Sequence, residues 1–234
     1  MDNNRKQQAE SIKNPKVAVI SANLGGFDNL IPHSAQSVEY DYFLYTDENF
    51  HPRYKVMTSR LQSRLPRCFG WQMVPDYDYY LWIDGNLRLK HPDSLKYFLD
   101  NISGYDVVAL RHIYRPNIRQ ETRYIRKGVR QQSIYLVNRY DNELLDELYT
   151  LIQNDKDYID DMLLHSGIFM YRNTAKVQAA LKELWYYITR YHICDQLTFV
   201  YALRKAGLKI NARPDKCNDC WFLELNRHRY LRSR

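Results

Sequence analysis

Four cysteines in 234 residues are too few to build a disulfide scaffold. Cys217 and Cys220 make half of a zinc-site pattern, but no second ligand pair follows at zinc-finger spacing, and one later histidine, His228, leaves the set short. No apolar run is long enough to cross a bilayer, so no membrane span is expected. The first fifteen residues are polar and charged and lack the apolar centre of a secretory signal, which gives a cytoplasmic reading. A Gly-x-Gly-x-x-Gly fingerprint is also missing, so a dinucleotide-binding fold is not indicated. There are no internal repeats and no low-complexity tracts.

What is present fits one domain. The length and an apolar fraction of 45% suffice for a sizeable core. Residues 1–15 end at Pro15 and read as a loosely attached arm, leaving 16–234 as the domain with a basic C-terminal tail. Tyrosine occurs 21 times; its apolar body and polar tip suit clefts for polar ligands such as sugars, although compositional bias gives the same count. The net charge of +7 is concentrated. Residues 111–130 hold seven Lys/Arg against one acidic residue, and residues 204–234 hold nine against three. Such surfaces attract phosphates, whether of nucleotide diphosphates, nucleic acid or anionic lipid.

Apolar β-branched or aromatic runs predict strands at 16–21, 42–46, 79–83, 105–110 and 168–171. Helices are expected at 58–73, 92–99, 144–152, 174–191 and 195–206, the last stopped by Gly207. Arginines at 115, 119, 123, 126 and 130 share one helical face. Alternating strands and helices predict an α/β fold with a mainly parallel central sheet flanked by helices. In such sheets ligands bind beyond the carboxyl ends of the strands, which singles out 22–26, Asp47, 84–86 and 111–112.

Four constellations could carry chemistry. In Asp84-Gly85-Asn86 a carboxylate and a carboxamide two residues apart can offer oxygens to one cation, with glycine leaving room for a diphosphate; the same triplet is also a tight turn of the kind that closes a hairpin. Arg60, Arg64 and Arg67 stand at the four- and three-residue spacings of one helical face, with Pro66 interrupting a full helix so that Arg67 can fall on a turn; the face suits phosphates, or else is simply solvated. His165-Ser166-Gly167 enters a strand as an ordinary junction or an accessible backbone edge. Asp195-Gln196 opens a helix, where Asp195 is either an N-cap or a carboxylate at a cleft.

The order of these features resembles glycosyltransferases of the GT-A type. It is most similar to the plant mucilage-related and turgor-regulation-related glycosyltransferase-like family, through Pro66-Arg67, the segment 80–89 around Trp82-Ile83-Asp84-Gly85, the Arg111-His112 region and residues 194–199. The resemblance covers roughly residues 17–210. It implies a Rossmann-like single domain and transfer of a sugar from a nucleotide-diphosphate sugar, UDP-linked, to a glycan or other hydroxyl acceptor. It implies Mn²⁺ or Mg²⁺ held by Asp84, Asn86 and His228. Ala22, Asn23, Leu24 and Asp47 would hold base and ribose. Asp84 would also contact the ribose, Gly85 would leave space for the diphosphate, and Arg60 and Arg64 would face phosphates or sugar. His165, Asp195 and Gln196 would surround the transferred sugar, with Asp195 nearest the anomeric carbon. Asn86 stands where the family often has lysine, and His165 where related enzymes often have asparagine. The competing expectations are a nucleic-acid-binding module built on the arginine stripe, and a non-catalytic relative that binds sugar nucleotides.

Overall fold

The structure is a computed structural model and describes residues 15–50, 57–140, 144–191 and 195–226. Six strands form one sheet in the order β2 (Asp41–Thr46), β1 (Val17–Asn23), β3 (Tyr79–Ile83), β6 (Leu164–Arg172), β5 (Val107–Arg111), β7 (Ile210–Arg213). All neighbours are parallel except across β6, which runs antiparallel to both β3 and β5. The fold is therefore α/β with a mainly parallel sheet, as the alternation of strands and helices predicts. A two-stranded antiparallel ribbon, β4 (Leu87–Leu89) with β8 (Leu223–Leu225), stands apart.

The central strands are apolar on both faces because both faces are covered. Ala18, Ile20, Tyr80, Trp82, Ala109, Phe169 and Tyr171 join one core, while Val17, Val19, Leu81, Ile83, Val108 and Met170 join the other. This is the two-residue period of a pleated strand. The first core is closed by α2 (Arg64–Met73), α4 (Ile118–Arg130), α5 (Ile134–Tyr140), α6 (Leu145–Asn154), α7 (Ala175–Arg190) and α8 (Asp195–Lys205). The second is closed by α3 (Ser94–Asn101) and the ribbon, where Tyr97 and Phe222 stack with ring centres 4.0 Å apart.

Helix boundaries follow local chemistry. Thr58 caps α1 (Ser59–Gln62) and Thr174 caps α7, each through its hydroxyl. The helical stretch over 58–73 is interrupted, as Pro66 predicts: α1 ends at Gln62, Pro66 falls in the first turn of α2, where it costs no hydrogen bond, and Phe69 leaves helical geometry inside α2 at φ −124° and ψ 16°. The helix expected from Pro92 begins at Ser94, and the arginine helix begins at Ile118 behind its Asn117 cap, leaving Arg115 outside it. Gly207 ends α8 in the left-handed conformation, φ 62°. The ribbon, β7 and α5 have no counterpart in the sequence reading.

Because β1, β2, β3 and β5 are parallel and β6 is reversed, one edge of the sheet gathers the ends of the first four and the start of β6. Every segment singled out above as following a strand lies there.

His33 offers a test of packing beside the ribbon. Its Nδ1 accepts from the Leu89 amide at 3.3 Å, and its ring sits edge-on to Tyr42. Burial, with the Arg88 charge adding to it, pushes the imidazole down to about 4. An unfolded histidine titrates near 6.5, so the native state binds fewer protons between about pH 4 and pH 6.5, and this contribution to stability is lost as pH falls through that window. Urea midpoints at pH 7 and pH 5 should therefore differ less in His33→Gln than in the wild type. An equal difference would remove His33 as the cause.

Candidate active site

The carboxyl ends of β1 and β3 open into a cavity of about 340 Å³. Its wall includes Ala22, Asn23, Leu24, Arg60, Arg64, Asp84 and Gly85, so seven of the eight residues expected to bind a donor share one space. The eighth, Asp47, follows β2 and accepts the Gly25 amide through both oxygens at 2.9 and 3.1 Å. It shapes the β1 loop from outside the wall.

That loop is built to stay open. Gly25 and Gly26 take φ of 78° and 60°, which side-chain-bearing residues rarely adopt. Asn23 braces the turn by donating to the Asp28 carbonyl and accepting the Asp28 amide at 2.9 and 3.0 Å. Its side chain therefore positions Asp28, which lies on the cavity wall and is not marked by any motif in the sequence. The Asp28 carboxylate comes within 3.1 Å of where a Cβ on Gly85 would be, so a side chain at position 85 would press on it.

The Asp84 triplet is a turn in form, since the Leu87 amide donates to the Asp84 carbonyl at 2.9 Å. It closes no hairpin, because β3 and β4 do not pair. Asp84 Oδ1 accepts the Trp82 indole N–H at 2.9 Å, and the Asp84 amide donates to the Gly167 carbonyl at 2.7 Å. Asn86 is buried and tied to the chain after β8: the Asn226 amide donates to its carbonyl at 2.7 Å, and its Nδ2 lies 3.4 Å from the Asn226 carbonyl. His228 lies outside the described residues.

Part of this set is of the kind a hard divalent cation takes. The wall carries the Asp28 and Asp84 carboxylates, whereas Asn86 is not on the wall, although its side-chain carbonyl oxygen is unused by the Asn226 contact. Among the described residues no three His, Cys, Asp or Glu side chains converge as a metal cage. A Mg²⁺ or Mn²⁺ site that borrows ligands from water and a diphosphate needs only one or two carboxylates.

The residues expected around the sugar form a second layer. Where β5 pairs with β6, the register jumps: Ala109 faces Phe169 and Leu110 faces His165, so Ser166, Gly167 and Ile168 have no partner on β5. This corrects the reading of 165–167 as the approach to a strand; they lie inside β6. The bulge aims its groups at the helices. The Ser166 carbonyl accepts from Arg67, and the Ser166 hydroxyl lies 3.4 Å from Asp195. The Gly167 amide donates to His165 Nδ1 at 3.3 Å, which leaves the proton of the neutral ring on Nε2. Burial holds His165 below its usual range; the Asp84 carboxylate opposes this and the Arg67 charge adds to it.

Asp195 is buried and is not on the cavity wall. Its carboxylate forms an ion pair with Arg67 and lies 2.9 Å from Arg64 Nε. Asp195 is the first residue of α8, and its carboxylate is engaged by the two arginines. Arg67 itself is fully buried, with Trp82, Phe169 and Phe199 rings 5.4 to 5.8 Å from its guanidinium carbon. Gln196 has a buried Nε2 with no hydrogen-bond partner among the described residues. The sequence reading also missed α5, which brings Tyr135, Asn138 and Arg139 to the wall. Arg60 donates to the Arg139 carbonyl at 2.7 Å, which ties α1 to this helix.

Cys217 and Cys220 are free thiols. Burial, with Cys220 and Asp84 nearby, pushes the Cys217 thiol up to about 11, so it behaves as a core residue.

No protein-family model matches the chain, and no curated protein matches it. Solved structures do share its shape. WbbM, a bifunctional glycosyltransferase in its apo form, superposes with a TM-score of 0.50 at 15% identity, over 87% of this chain and 40% of that one. Mouse xyloside xylosyltransferase 1, also apo, gives a TM-score of 0.44 at 9% identity, over 84% of each chain. A glycosyltransferase involved in the glycosylation of the major capsid of PBCV-1 gives 0.44 at 8% identity, over 86% of this chain and 83% of that one. At such identities the likeness is one of fold.

Arg67→Met should leave Asp195 buried with only the poorly aligned Arg64 beside it. A loss of about 3–5 kcal/mol is expected in urea unfolding. Arg67→Met with Asp195→Leu should recover a large part of that loss. Simple additivity of the two changes would contradict the pairing.

Proposed function

We propose that the chain is a glycosyltransferase that moves a sugar from a nucleotide-diphosphate sugar, held in the β1–β3 cavity, to a hydroxyl acceptor. The observation that carries this is the convergence of Ala22–Leu24, Arg60, Arg64, Asp84 and Gly85 on one cavity at the carboxyl edge of the sheet. The shape shared with WbbM is in keeping with it.

The residues divide the work. The loop held open by Gly25 and Gly26 admits a nucleoside against backbone. Gly85 leaves space for the diphosphate beside Asp84. Arg60 and Arg64 supply positive charge where the departing diphosphate gains negative charge. Asp84, with Asn86 and the Asp28 carboxylate close by, would hold Mn²⁺ or Mg²⁺, which when bound neutralises the leaving group. His165, beside Asp84, presents a neutral ring with Nε2–H as a hydrogen-bond donor. Gln196 has an amide N–H to give. We assign Asp195 a positioning role: it holds Arg64 in place and is itself held by Arg67 and Ser166. A UDP-sugar is the donor we favour, and the free thiols are in keeping with a reducing, cytoplasmic setting.

Calorimetric titration of UDP with and without Mn²⁺ tests this. Wild type should bind more tightly with the metal, and Asp84→Ala should lose at least about tenfold in affinity, or about 1.4 kcal/mol. Binding indifferent to both metal and mutation would sink the metal assignment. No binding of UDP or of any other nucleotide diphosphate would sink the donor assignment.

A second titration examines Asp195. Asp195→Asn keeps the shape and removes the charge. It should reproduce most of the Arg64→Gln loss of UDP affinity, and the double variant should be little worse than either single one. Additive losses would mean that Asp195 acts on the ligand without Arg64.

A further inference from the structure

The donor cavity leaves the arginine helix unexplained. The apolar side of α4 is spent on the core through Ile118 and Ile125. Its opposite side is basic, interrupted by the exposed but neutral Gln120 and Tyr124. Arg119, Arg123, Lys127 and Arg130 are all exposed, and among the described residues none of their side chains meets a carboxylate. Arg115 and Arg126 do, with Glu121 and Asp146. Arg123, Arg126, Lys127 and Arg130, with Gln131, line one shallow groove of about 460 Å³. A solvated helix face usually mixes signs, because unpaired like charges at three- and four-residue spacing repel. Here they are kept together.

The helix that carries the groove packs on a helix of the cavity wall. α4 turns at Gln132, φ 55°, directly into α5, whose Tyr135, Asn138 and Arg139 form part of the cavity wall. The two helices are locked where Gly128 meets Leu136; a Cβ on Gly128 would fall 1.9 Å from Leu136 Cδ1. The basic face and the cavity wall are thus carried by two directly packed helices.

We infer that the exposed face of α4 is a binding site for a phosphate-bearing chain, which, on the transferase reading above, is the acceptor. Guanidinium groups suit phosphate oxygens by their forked geometry. A bilayer is disfavoured, because a helix lying on a membrane turns its apolar face to lipid, and the α4 apolar face is inside the protein. Single-stranded nucleic acid is disfavoured, because it relies on aromatic stacking, and the one aromatic on α4, Tyr124, already lies under Arg115 at 4.1 Å.

The probe is inorganic tripolyphosphate, titrated by calorimetry into the full chain saturated with UDP, and separately into Arg64→Gln, so that the donor cavity is discounted. The test variant is Arg123→Gln/Lys127→Gln/Arg130→Gln, all exposed positions. We expect wild type and Arg64→Gln to bind tripolyphosphate, with affinity falling steeply as salt rises. The triple variant should lose at least tenfold while its melting temperature and UDP affinity stay unchanged. Unchanged tripolyphosphate affinity in the triple variant would overturn the site. So would tighter binding of a 20-nucleotide RNA that tripolyphosphate fails to displace, or triple-variant-sensitive co-sedimentation with vesicles of 30% phosphatidylglycerol in phosphatidylcholine. If UDP does not bind but tripolyphosphate binding still depends on the three residues, the transferase reading fails and the phosphate site stands.

Discussion

The cavity depends on one buried cation. Arg67 sits at the junction of α2, β6 and α8, boxed by three aromatic rings and out of contact with water. A guanidinium in such a place costs several kcal/mol to desolvate unless its hydrogen bonds and charge are answered nearby. The answers come from the Asp195 carboxylate and the Ser166 carbonyl. Meeting them fixes the start of α8 and the β6 bulge relative to α2, and brings Arg64, one helical turn before Arg67, to the cavity wall beside Asp84. An apolar residue at position 67 would pack well enough, but it would leave the Asp195 charge with the poorly aligned Arg64 in place of its main partner.

The irregularity in β6 is the second half of this arrangement. A regular antiparallel strand between β3 and β5 would alternate its side chains across the sheet and aim no backbone carbonyl at a helix. The three residues without partners on β5 allow Ser166 to turn toward Arg67 and Asp195 while Gly167 stays against Asp84. A Cβ on Gly167 would fall 2.9 Å from Asp84 Oδ2 and 2.8 Å from His165 Cε1. Glycine therefore sets the spacing between the two.

Much of this is legible in residue order. Doubly apolar runs such as 79–83 announce central strands, and the placement of Asp84-Gly85-Asn86 at the end of one points to the sheet's carboxyl edge. Local pattern does not show where distant segments meet. Asp28 has no motif around it and reaches the cavity only because Asn23 folds the β1 loop back. Tyr135, Asn138 and Arg139 sit on a seven-residue helix too short to produce a clear period. The pairing of Arg64 and Arg67 with Asp195 spans more than a hundred residues, so spacing shows an arginine face and a helix start without linking them.

The most direct test of the central claim is a crystal structure of the chain with UDP and Mn²⁺. The diphosphate should lie in the β1–β3 cavity, its oxygens within hydrogen-bond reach of Arg60 or Arg64, with the cation on Asp84. A nucleotide bound elsewhere on the surface, with Asp84 and Arg64 turned away from it, would contradict a donor site in this cavity.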